Sequence, residues 1–375
     1  MYPNEPVITV VAPLIDAQLI ETTILLEINH QSLIATKTNR IVQAANGKPV
    51  SDFGARRAHN VDAAVYGARA AYIGGAAGTA TVLAGKMFHI PISGTMAHSW
   101  VMTFDSEYDA FKAYAESYPD GTVLLVDTYD VLKSGVPNAI RTAREVLEPM
   151  GKKLIGIRLD SGDLAYLSKE ARKMLDEAGL SDCMIVASNS LDEYTISSLN
   201  RQGAKIDSYG VGERLITSSS TPVFGAVYKL VAIQKDGKFI PKIKISETAE
   251  KITNPGIKEV YRVYDENGKA VADYLAVKGE QIRDLEPVRY VDPVNYWKNR
   301  SFVGCRFKKL QVPVFEKGKR IYDLPDIEEI RQYVKDQLEN EIWEEEQRFE
   351  NAHTHYLDMS PAMFELKMSL LHEEN

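Results

Sequence analysis

The stretch "LIGIRLDSGDLAYLSKEARKMLDEAGL", residues 154–180, contains one complete strand-and-helix unit. The short apolar run Leu154–Ile157 predicts a buried strand, and a polar segment follows it directly. From residue 164 onward, apolar residues recur at helical spacing on one face, with Asp163 as the predicted N-cap and Gly179 as the predicted end. The stretch therefore predicts a buried strand that leads into an amphipathic helix.

Similar runs lie on either side of this unit. Residues 123–126 and 184–187 flank it at intervals of about 30 residues, the length of a strand plus a crossover helix. Helical patterns fill the gaps, as in "NAIRTAREVLEPM" and "LDEYTISSLNRQG". Residues 205–210 and 223–233 are further predicted strands. Continuous apolar strands that alternate with helices indicate a parallel sheet covered on its outside, either a barrel or a doubly wound sheet.

The two ends of the chain carry different patterns. Residues 3–42 predict a strand and then a long, mostly apolar helix. The segment "VYRVYDENGKAVADYLAV" (260–277) has the alternation of a β-hairpin with "ENG" as its turn. The acidic stretch 326–351 has the pattern of a charged amphipathic helix. We therefore expect an antiparallel sheet and a helical tail beside the parallel core.

The composition is that of an ordinary globular chain and argues against several classes of partner. Of the 375 residues, 45% are hydrophobic and 26% are charged, with a net charge of −8. This balance argues against nonspecific nucleic-acid or membrane-surface binding, and no apolar stretch is long enough to cross a bilayer. The first residues lack the basic start of a signal peptide. Cys183 and Cys305 follow no metal or redox spacing, so we expect a reduced, cytoplasmic setting.

Polar and small residues follow each predicted strand and the short apolar run before residue 93. A parallel barrel assembles its site at the carboxyl ends of its strands. One such end is typical of a helix cap, but five in succession favour a site. The five segments are "SGTMAHS" (93–99), "DTYD" (127–130), "RLDSGD" (158–163), "SNSLDE" (188–193) and "GVGERLITSSS" (210–220).

Arg158 and Asp160 are the strongest candidates for direct contact with a ligand. Two residues apart on a strand, they point to the same side. A guanidinium and a carboxylate at a barrel mouth suit an anionic aromatic substrate together with a ribose or a metal-bound phosphate. The alternative is an internal salt bridge. Asp127 has the same two interpretations.

Two segments have the composition of phosphate-binding loops. Gly210 and Gly212 would let backbone N–H groups approach a phosphate, with the Thr217 hydroxyl as a further donor. A tight strand-to-helix turn would need the same glycines. Arg56 and Arg57 precede a predicted helix that begins at Asp62. Paired arginines before a helix could bind a phosphate, although a plain surface pair is the commoner explanation. His353 and His355 lack acidic or cysteine partners at metal spacing, and we predict no protein metal site.

Several of these segments together resemble the nicotinate phosphoribosyltransferase family. The similarity runs from about Pro3 to the hairpin region and on toward the tail. Its combination of motifs in this order is very specific. The matching stretches are "SDFGARRAH", "GTMAHSW", "IRLDSGDLAYLSKEARKMLDEAG", "ASNSLDE" and "GVGERLITSSSTPVFGAVYKLV".

The resemblance implies an activity, a set of ligands and a fold. The expected reaction joins nicotinate to 5-phosphoribosyl-1-pyrophosphate, giving nicotinate mononucleotide and pyrophosphate, with ATP hydrolysed to ADP and phosphate, in NAD salvage by the Preiss–Handler pathway. ATP would be a co-substrate, Mg²⁺ would arrive bound to substrate, and the enzyme would be a cytoplasmic homodimer. The fold class would be α/β, an incomplete α/β (TIM-like) barrel with a partial α/β sandwich domain built from both chain ends.

The same resemblance implies a division of the chain. Residues 1–45 would be a remnant of the N-terminal sandwich domain with a linking helix, and residues 46–225 the catalytic barrel. Residues 226–322 would form the antiparallel region that completes the sandwich, and residues 323–375 a helical tail. The family also has an N-terminal segment with a "TDLY"-like motif, which we expect this chain to lack.

Residue roles follow from the matched motifs. His98 would be phosphorylated by ATP. Arg158 would contact the nicotinate carboxylate, with Thr95 beside the same ligand. Asp160 and Asp127 would serve the ribose or a metal.

On the phosphate side, the resemblance assigns Arg56 and the Gly210–Gly212 loop to phosphate groups. Glu213 stands where many relatives have a threonine, and a carboxylate there would repel phosphate unless it turned outward or acted through its backbone N–H. The other residues assigned to substrate binding are Ser188, Asn189 and Thr217.

Two alternatives to this function stay open. A relative that uses nicotinamide or quinolinate would differ mainly in the charge of its ring substituent. A catalytically impaired fragment would act only as a binding partner.

Overall fold

A computed structural model describes residues 1–247 and 251–373, which form two compact units. The barrel unit comprises residues 27–225, and the sheet unit comprises residues 1–26 together with the chain from residue 226 onward. The four-part division predicted above stays a prediction. Its third and fourth segments include residues 248–250 and 374–375, which lie outside the described part of the chain.

A six-stranded, all-parallel sheet forms the centre of the barrel unit, in the order β2-β1-β6-β5-β4-β3. It is curled into a half barrel, so the predicted α/β fold class is confirmed. An isolated parallel bridge between Thr79 and Ile92 extends the edge next to β2. The strands are β1 Val50–Asp52, β2 Gly78–Thr79, β3 Val123–Leu125, β4 Gly156–Leu159, β5 Met184–Ala187 and β6 Ser208–Val211.

Helices connect these strands, as the alternation of patterns predicts. Short 3₁₀ turns occur at Ala55–Arg57 and Glu148–Met150, and π-helical turns at Val131–Gly135 and Ala143–Leu147. The α-helices of the first 225 residues are α1 Leu14–Leu19, α2 Glu21–Ala44, α3 Val61–Ile73, α4 Val82–Phe88, α5 His98–Met102, α6 Glu107–Ser117, α7 Val136–Thr142, α8 Leu164–Glu177, α9 Glu193–Arg201 and α10 Glu213–Ile216.

Helix α8 has the boundaries that its capping residues predict. The Asp163 side chain accepts hydrogen bonds from the backbone N–H groups of Ala165 and Tyr166, and so satisfies two donors of the first turn. Gly179 follows the helix with a φ of 76°, a conformation that glycine adopts without strain. The helix therefore begins directly after the polar segment that follows β4.

Apolar strand residues hold the barrel unit together. Leu124, Leu125, Ile157, Leu159 and Ile185 are at most 1% exposed and belong to one hydrophobic cluster. Burial of each such side chain contributes about 1.5–3 kcal/mol relative to exposure. The core thus fixes the strands, and their polar carboxyl ends are left free for other contacts.

A second six-stranded sheet forms the sheet unit, in the order β12-β11-β16-β10-β9-β13. Its β9–β10 pair is the predicted "ENG" hairpin, and only β10–β16 is parallel among its described pairs. Two small hairpins pair β7 with β8 and β14 with β15. The strands are β7 Ala232–Lys235, β8 Lys238–Pro241, β9 Lys258–Tyr264, β10 Ala270–Val277, β11 Val288–Val291, β12 Asn299–Phe302, β13 Arg306–Lys309, β14 Phe315–Glu316, β15 Lys319–Arg320 and β16 Leu357–Met359.

Three helices, α11 Ile327–Asp336, α12 Glu344–Gln347 and α13 Pro361–Glu373, complete the sheet unit. The acidic helix predicted over residues 326–351 is present only from Ile327 through the π-helical turn Gln337–Glu341. The chain then becomes extended at Ile342, and only the short α12 follows before irregular backbone from Arg348. Within the described ranges, no helix combines the length and apolar character that spanning a bilayer requires.

Two strand predictions were wrong. Residues 3–13 contain no strand in the described structure, because Pro3, Pro6 and Pro13 lack the N–H groups that a sheet ladder needs. The apolar run 223–233 is mostly irregular, and β7 begins only at Ala232. Within that run Gly225 has a φ of 69°, which interrupts extended backbone.

Candidate active site

A cavity of about 540 Å³ lies in the barrel unit where the parallel strands end. It brings together most of the residues that the strand-end segments predict. Two candidates lie outside its lining, Asp127 and Thr217. The predicted residues on the lining are Arg56, Thr95, His98, Arg158, Asp160, Ser188, Asn189, Gly210, Gly212 and Glu213.

Arg158, the third residue of β4, is held in place by three neighbours. Its Nε donates to Ser188 Oγ (2.9 Å), Nη1 to Thr95 Oγ1 (3.0 Å) and Nη2 to Asp160 Oδ1 (3.1 Å). A guanidinium has five N–H groups in a rigid plane. These contacts with described residues use three of them, so one N–H on Nη1 and one on Nη2 stay available to a ligand.

Asp160 follows β4 and links the arginine to a histidine. Its Oδ1 accepts hydrogen bonds from Arg158 and from the Ser188 hydroxyl, while its Oδ2 lies 3.6 Å from His98 Nε2. Burial by itself would raise the pKa of Asp160, but the Ser188 hydrogen bond and the Arg158 charge outweigh burial and lower it. The carboxylate is therefore ionised at neutral pH.

His98 is the first residue of α5, and its side chain is 39% exposed toward the cavity. Its Nδ1 lies 3.1 Å from Thr128 Oγ1, and its Nε2 faces Asp160 and, at 4.0 Å, Asp127 Oδ1. Contacts at both nitrogens fix the ring plane. The imidazole is thus both accessible and oriented, as a nucleophile requires.

Asp127 lies behind His98. Its side chain is 1% exposed, and its Oδ2 accepts hydrogen bonds from the Asp160 backbone N–H (3.0 Å) and Ser161 Oγ (2.5 Å). Its Oδ1 has no hydrogen-bond partner among the described residues, and the nearby His98 Nε2 is 4.0 Å away. This buried carboxylate is placed to act on the histidine and the Asp160 loop more directly than on a ligand in the cavity.

The two glycines of the β6 loop are required by a close approach to Phe53. A Cβ at Gly210 would lie 2.3 Å from the Phe53 ring, and one at Gly212 would lie 3.1 Å from the Phe53 carbonyl oxygen. The Phe53 backbone N–H also donates to Val211 O (2.8 Å). The loop that carries Phe53 thus packs directly on the glycine loop.

Buried polar contacts at Asp52 position this Phe53 loop. Asp52 Oδ1 accepts from the Gly54 N–H and Oδ2 from Thr79 Oγ1, each at 2.8 Å. Burial raises the pKa of Asp52, while the two hydrogen bonds oppose that rise. The contacts tie the end of β1 to the end of β2, beside the 3₁₀ turn with Arg56.

Charged residues on the same side of the cavity include an ion pair. Arg57 Nε lies 3.5 Å from Glu213 Oε2, with both side chains about 60% exposed. Thr217 lies off the lining, and its hydroxyl donates to the Glu213 backbone carbonyl (2.7 Å). Glu213 therefore presents a carboxylate, partly neutralised by Arg57, where a phosphate contact was expected.

The segment after β5 has unusual backbone geometry. Asn189 and Ser190 both line the cavity and have φ values of 88° and 49°, in the region that favours glycine. Asp192 caps α9 by accepting from the Thr195 N–H (2.8 Å) and so anchors the segment. Strained backbone of this kind concentrates at ligand-binding sites.

Sequence reasoning missed three members of this site. Phe53 lies inside a motif from which only the arginines were selected, although an aromatic residue directly after β1 was a usable signal. The Arg158 Cζ lies 5.3 Å from the Phe53 ring centroid. Thr128 and Ser161 reveal their roles only through contacts that sequence spacing does not contain.

In the part of the chain that the structure describes, no group of three or more His, Cys, Asp or Glu side chains is arranged to hold a metal ion. Asp160 and Glu213 are the acidic residues on the cavity lining, and Asp127 lies behind His98. Any divalent cation here would take most of its ligands from a bound molecule.

Comparison with known proteins gives consistent results over the whole chain. A family model described as the nicotinate phosphoribosyltransferase (NAPRTase) family matches residues 49–268, and one for the nicotinate phosphoribosyltransferase C-terminal domain matches residues 257–367. The nicotinate phosphoribosyltransferase of Bacillus subtilis is 50% identical over 374 residues, which is 100% of this chain and 76% of that protein. That of Dictyostelium discoideum is 36% identical over 97% of this chain and 70% of its own length.

Solved structures agree with these matches. The crystal structure of human nicotinic acid phosphoribosyltransferase superposes with a TM-score of 0.83 at 26% identity, covering 96% of this chain and 78% of that one. Nicotinate-nucleotide pyrophosphorylase from Pyrococcus furiosus is more distant in fold, with a TM-score of 0.63 at 29% identity, covering 85% and 73% of the two chains.

Proposed function

The chain belongs to the nicotinate phosphoribosyltransferase family, and we propose that it joins nicotinate to the ribose of 5-phosphoribosyl-1-pyrophosphate with hydrolysis of ATP. The observation that carries this proposal is the arrangement of Arg158 and His98. Both contact the Asp160 carboxylate inside a single cavity, one as a fixed cation and the other as an oriented imidazole. Such a site can bind a carboxylate and accept a phosphoryl group side by side.

Nicotinate would contact both Arg158 and Phe53, which lie side by side at the cavity. Its carboxylate would take the two N–H groups of Arg158 that protein contacts leave available, a bidentate pairing that suits guanidinium geometry. The pyridine ring would stack against the Phe53 ring, which the Gly210 backbone supports from the other side. Thr95 would then orient the guanidinium and contact the same ligand edge.

The glycosyl transfer itself needs no protein nucleophile. The pyridine nitrogen attacks the anomeric carbon, the bond from that carbon to pyrophosphate oxygen breaks, and pyrophosphate leaves with the electron pair. The site has to stabilise an oxocarbenium-like ribose and the departing charge. Asp160 would support the ribose, while Arg56 and the Gly210–Gly212 loop would hold phosphate groups.

Asn189 lies on the cavity lining and would contact phosphoribosyl pyrophosphate. Thr217, outside the lining, would support the phosphate loop through its bond to the Glu213 carbonyl.

ATP would act through His98. An imidazole nitrogen attacks the γ-phosphorus, the bond to the β-phosphate oxygen breaks, and ADP leaves. Water later cleaves the phosphorus–nitrogen bond and releases phosphate. Asp160 and Asp127 would stabilise the positive charge of the phosphorylated ring, since both carboxylates lie within 4.0 Å of Nε2.

Mg²⁺ would enter this site already bound to the substrates. Asp127 Oδ1 is buried without a hydrogen-bond partner among the described residues, and Asp160 Oδ2 faces the cavity side. These are hard oxygen donors of the kind Mg²⁺ binds, but two carboxylates supply only part of its coordination. When bound, the ion would neutralise phosphate charge. Asp160 would be its direct protein ligand, and Asp127, which lies off the lining, would support it from behind.

A cytoplasmic homodimer remains part of the proposal. Leu14, Ile15 and Leu19 on α1 are 61–76% exposed, an apolar set that favours association with a second copy. Light scattering after size-exclusion chromatography tests the assembly, and cell fractionation tests the location. A monomer at micromolar concentration would contradict the dimer.

Product formation tests the main reaction. The purified chain is incubated with phosphoribosyl pyrophosphate, Mg²⁺ and ATP, together with nicotinate, nicotinamide or quinolinate, and nucleotides are separated by chromatography. Nicotinate should be the preferred substrate. Arg158→Ala should lose most of the activity, and Arg158→Lys should regain only a part, because an ammonium lacks the planar fork.

The exposed Lys173→Ala variant on α8 serves as the control and should match the wild type. Nicotinate mononucleotide at the same rate from wild type and Arg158→Ala would contradict this assignment. Equal use of nicotinamide would favour a different substrate class, and no product from any of the three bases would support a binding role without catalysis.

A further inference from the structure

The Ser188 side chain is buried among protein groups that take its one hydrogen-bond donor and one of its two acceptor positions. It is 3% exposed, and its backbone N–H donates to Leu159 O (2.9 Å), which continues the β4–β5 ladder. Its hydroxyl accepts from Arg158 Nε (2.9 Å) and donates to Asp160 Oδ1. A serine hydroxyl has one donor, and here the Asp160 carboxylate takes it. Ser188 is therefore poorly placed as a ligand contact, the role its sequence position predicts.

The two hydrogen-bond partners of the Ser188 hydroxyl, Arg158 and Asp160, serve different steps of the proposed reaction. Arg158 presents its remaining N–H groups to the base, while Asp160 directs Oδ2 at His98 Nε2 (3.6 Å). Because Oδ1 is held by Ser188 and Arg158, rotation of the carboxylate is restricted and Oδ2 keeps its direction. One hydroxyl thus fixes the guanidinium and the carboxylate together.

We propose that Ser188 is a positioning residue that couples the nicotinate site to the phosphate-accepting histidine, an inference that rests on the proposed function. Through Ser188 the orientation of Arg158 and the orientation of Asp160 depend on each other. Loss of the hydroxyl therefore weakens nicotinate binding and slows phosphorylation of His98 at the same time, although Ser188 touches neither ligand.

Two neighbouring hydroxyls provide matched comparisons, because one contacts Arg158 on the nicotinate side and the other contacts His98, the residue to be phosphorylated. Thr95 Oγ1 accepts from Arg158, and Thr128 Oγ1 contacts His98 Nδ1. Thr95→Val should raise the KM for nicotinate with little change in phosphorylation. Thr128→Val should slow phosphorylation with little change in that KM. Ser188→Ala should produce both effects.

The experiment measures two quantities on each full-length variant. One is the rate at which acid-labile label from γ-³²P-ATP appears on the protein, and the other is the KM for nicotinate in the complete reaction. For Ser188→Ala we expect a change of about ten-fold or more in each, the effect of losing a hydrogen bond to a charged group. Ser188→Thr, which keeps a hydroxyl, should restore most of both.

Two controls separate positioning from a general structural effect. Ser188→Cys repeats the test with a side chain of similar size, and a thermal melt confirms folding of each variant.

The outcomes distinguish this inference from the proposed function. An unchanged labelling rate or an unchanged KM for nicotinate in Ser188→Ala, or no recovery in Ser188→Thr, would overturn the coupling while the enzyme assignment stands. A wild-type chain that makes no nicotinate mononucleotide and takes no label would overturn the proposed function, and the inference with it.

Discussion

Glu213 Oε2 lies 3.5 Å from Arg57 Nε on the lining of the cavity, so a carboxylate and a guanidinium neutralise each other where phosphate is proposed to bind. Both side chains are about 60% exposed, and exposed pairs of this kind contribute at most about 1 kcal/mol. The carboxylate thus competes with an anionic substrate for Arg57 without blocking access to it.

Removal of this carboxylate should improve substrate binding. In Glu213→Gln, Arg57 is free to pair with phosphate, and we expect the KM for phosphoribosyl pyrophosphate to fall by about two- to five-fold with kcat unchanged. Initial rates at low and high salt measure the effect, which should shrink as salt screens the charges. Glu213→Asp retains the charge and serves as the control. A higher KM in Glu213→Gln would instead indicate that Glu213 itself contacts the substrate.

Substitution at Gly210 should damage the nicotinate site through Phe53. A Cβ at Gly210 would lie 2.3 Å from the Phe53 ring, so Gly210→Ala forces the ring to move. We expect the KM for nicotinate to rise by about ten-fold or more, the cost of displacing a stacked ring. Phe53→Leu alone should also raise this KM, and adding it to Gly210→Ala should cause little further rise, because both changes act through the same ring. If Gly210→Ala bound nicotinate normally, Phe53 would not be the stacking surface.

The stability of the sheet unit should depend on pH through Glu5. Burial, followed by the neighbouring Asp273 carboxylate, raises the pKa of Glu5 from its ordinary 4.5 to about 8. A carboxyl group with a raised pKa stabilises the fold fully below pH 4.5 and loses that contribution as pH rises toward 8. The Glu5 carboxyl accepts from the Tyr2 N–H, and Asp273 is paired with Arg262.

Thermal melts between pH 5 and pH 8 check this dependence. The wild type should lose stability across the range. Glu5→Gln, a neutral side chain of the same shape, should lose less and be more stable than wild type at pH 8, and its remaining loss at the acidic end comes from Asp358, whose pKa is raised by burial to about 6. The Asp273 pKa is lowered and acts only at more acidic pH. Parallel curves for the two proteins would contradict the assignment to Glu5.

Gly135 should tolerate no side chain. A Cβ there would lie 1.8 Å from the Val126 carbonyl oxygen, just beyond β3. Gly135→Ala should lower the free energy of unfolding by about 1–3 kcal/mol, because the backbone has to shift to relieve the contact with Val126. Urea denaturation measures the change. Gly121→Ala is the matched control, since a Cβ there meets no atom within 4 Å, and equal stabilities for the two variants would refute the steric reason.

The sequence predicted the parallel core well because its signals are local. The apolar run before Arg158, the cap at Asp163 and the glycine at 179 are all contained in one stretch, and β4 and α8 follow them closely. The convergence of polar strand ends was equally predictable, because parallel strands present their carboxyl ends at one edge. Taken together, the polar residues at the strand ends predicted where the cavity lies.

What the sequence did not reveal depends on contacts between distant segments. His355 was judged to lack acidic partners by spacing, yet Glu346 Oε2 lies 3.0 Å from its Nδ1 and Asp273 Oδ2 lies 3.4 Å from its Nε2. The wrong strand at residues 3–13 has a different origin, because apolar alternation was given more weight than proline, which cannot donate to a ladder.

Strand β1 pairs directly with β6, so the earliest and latest strands of the parallel sheet are neighbours. During synthesis on the ribosome, the Phe53 loop is made long before the glycine loop. The two loops therefore cannot pack together until Val211 has left the exit tunnel. A nascent chain halted before that point would already contain Arg158 and His98 but could form only an open, half-built pocket. Catalytic competence in this chain should thus arise late and abruptly, in step with closure of a single long-range strand pair.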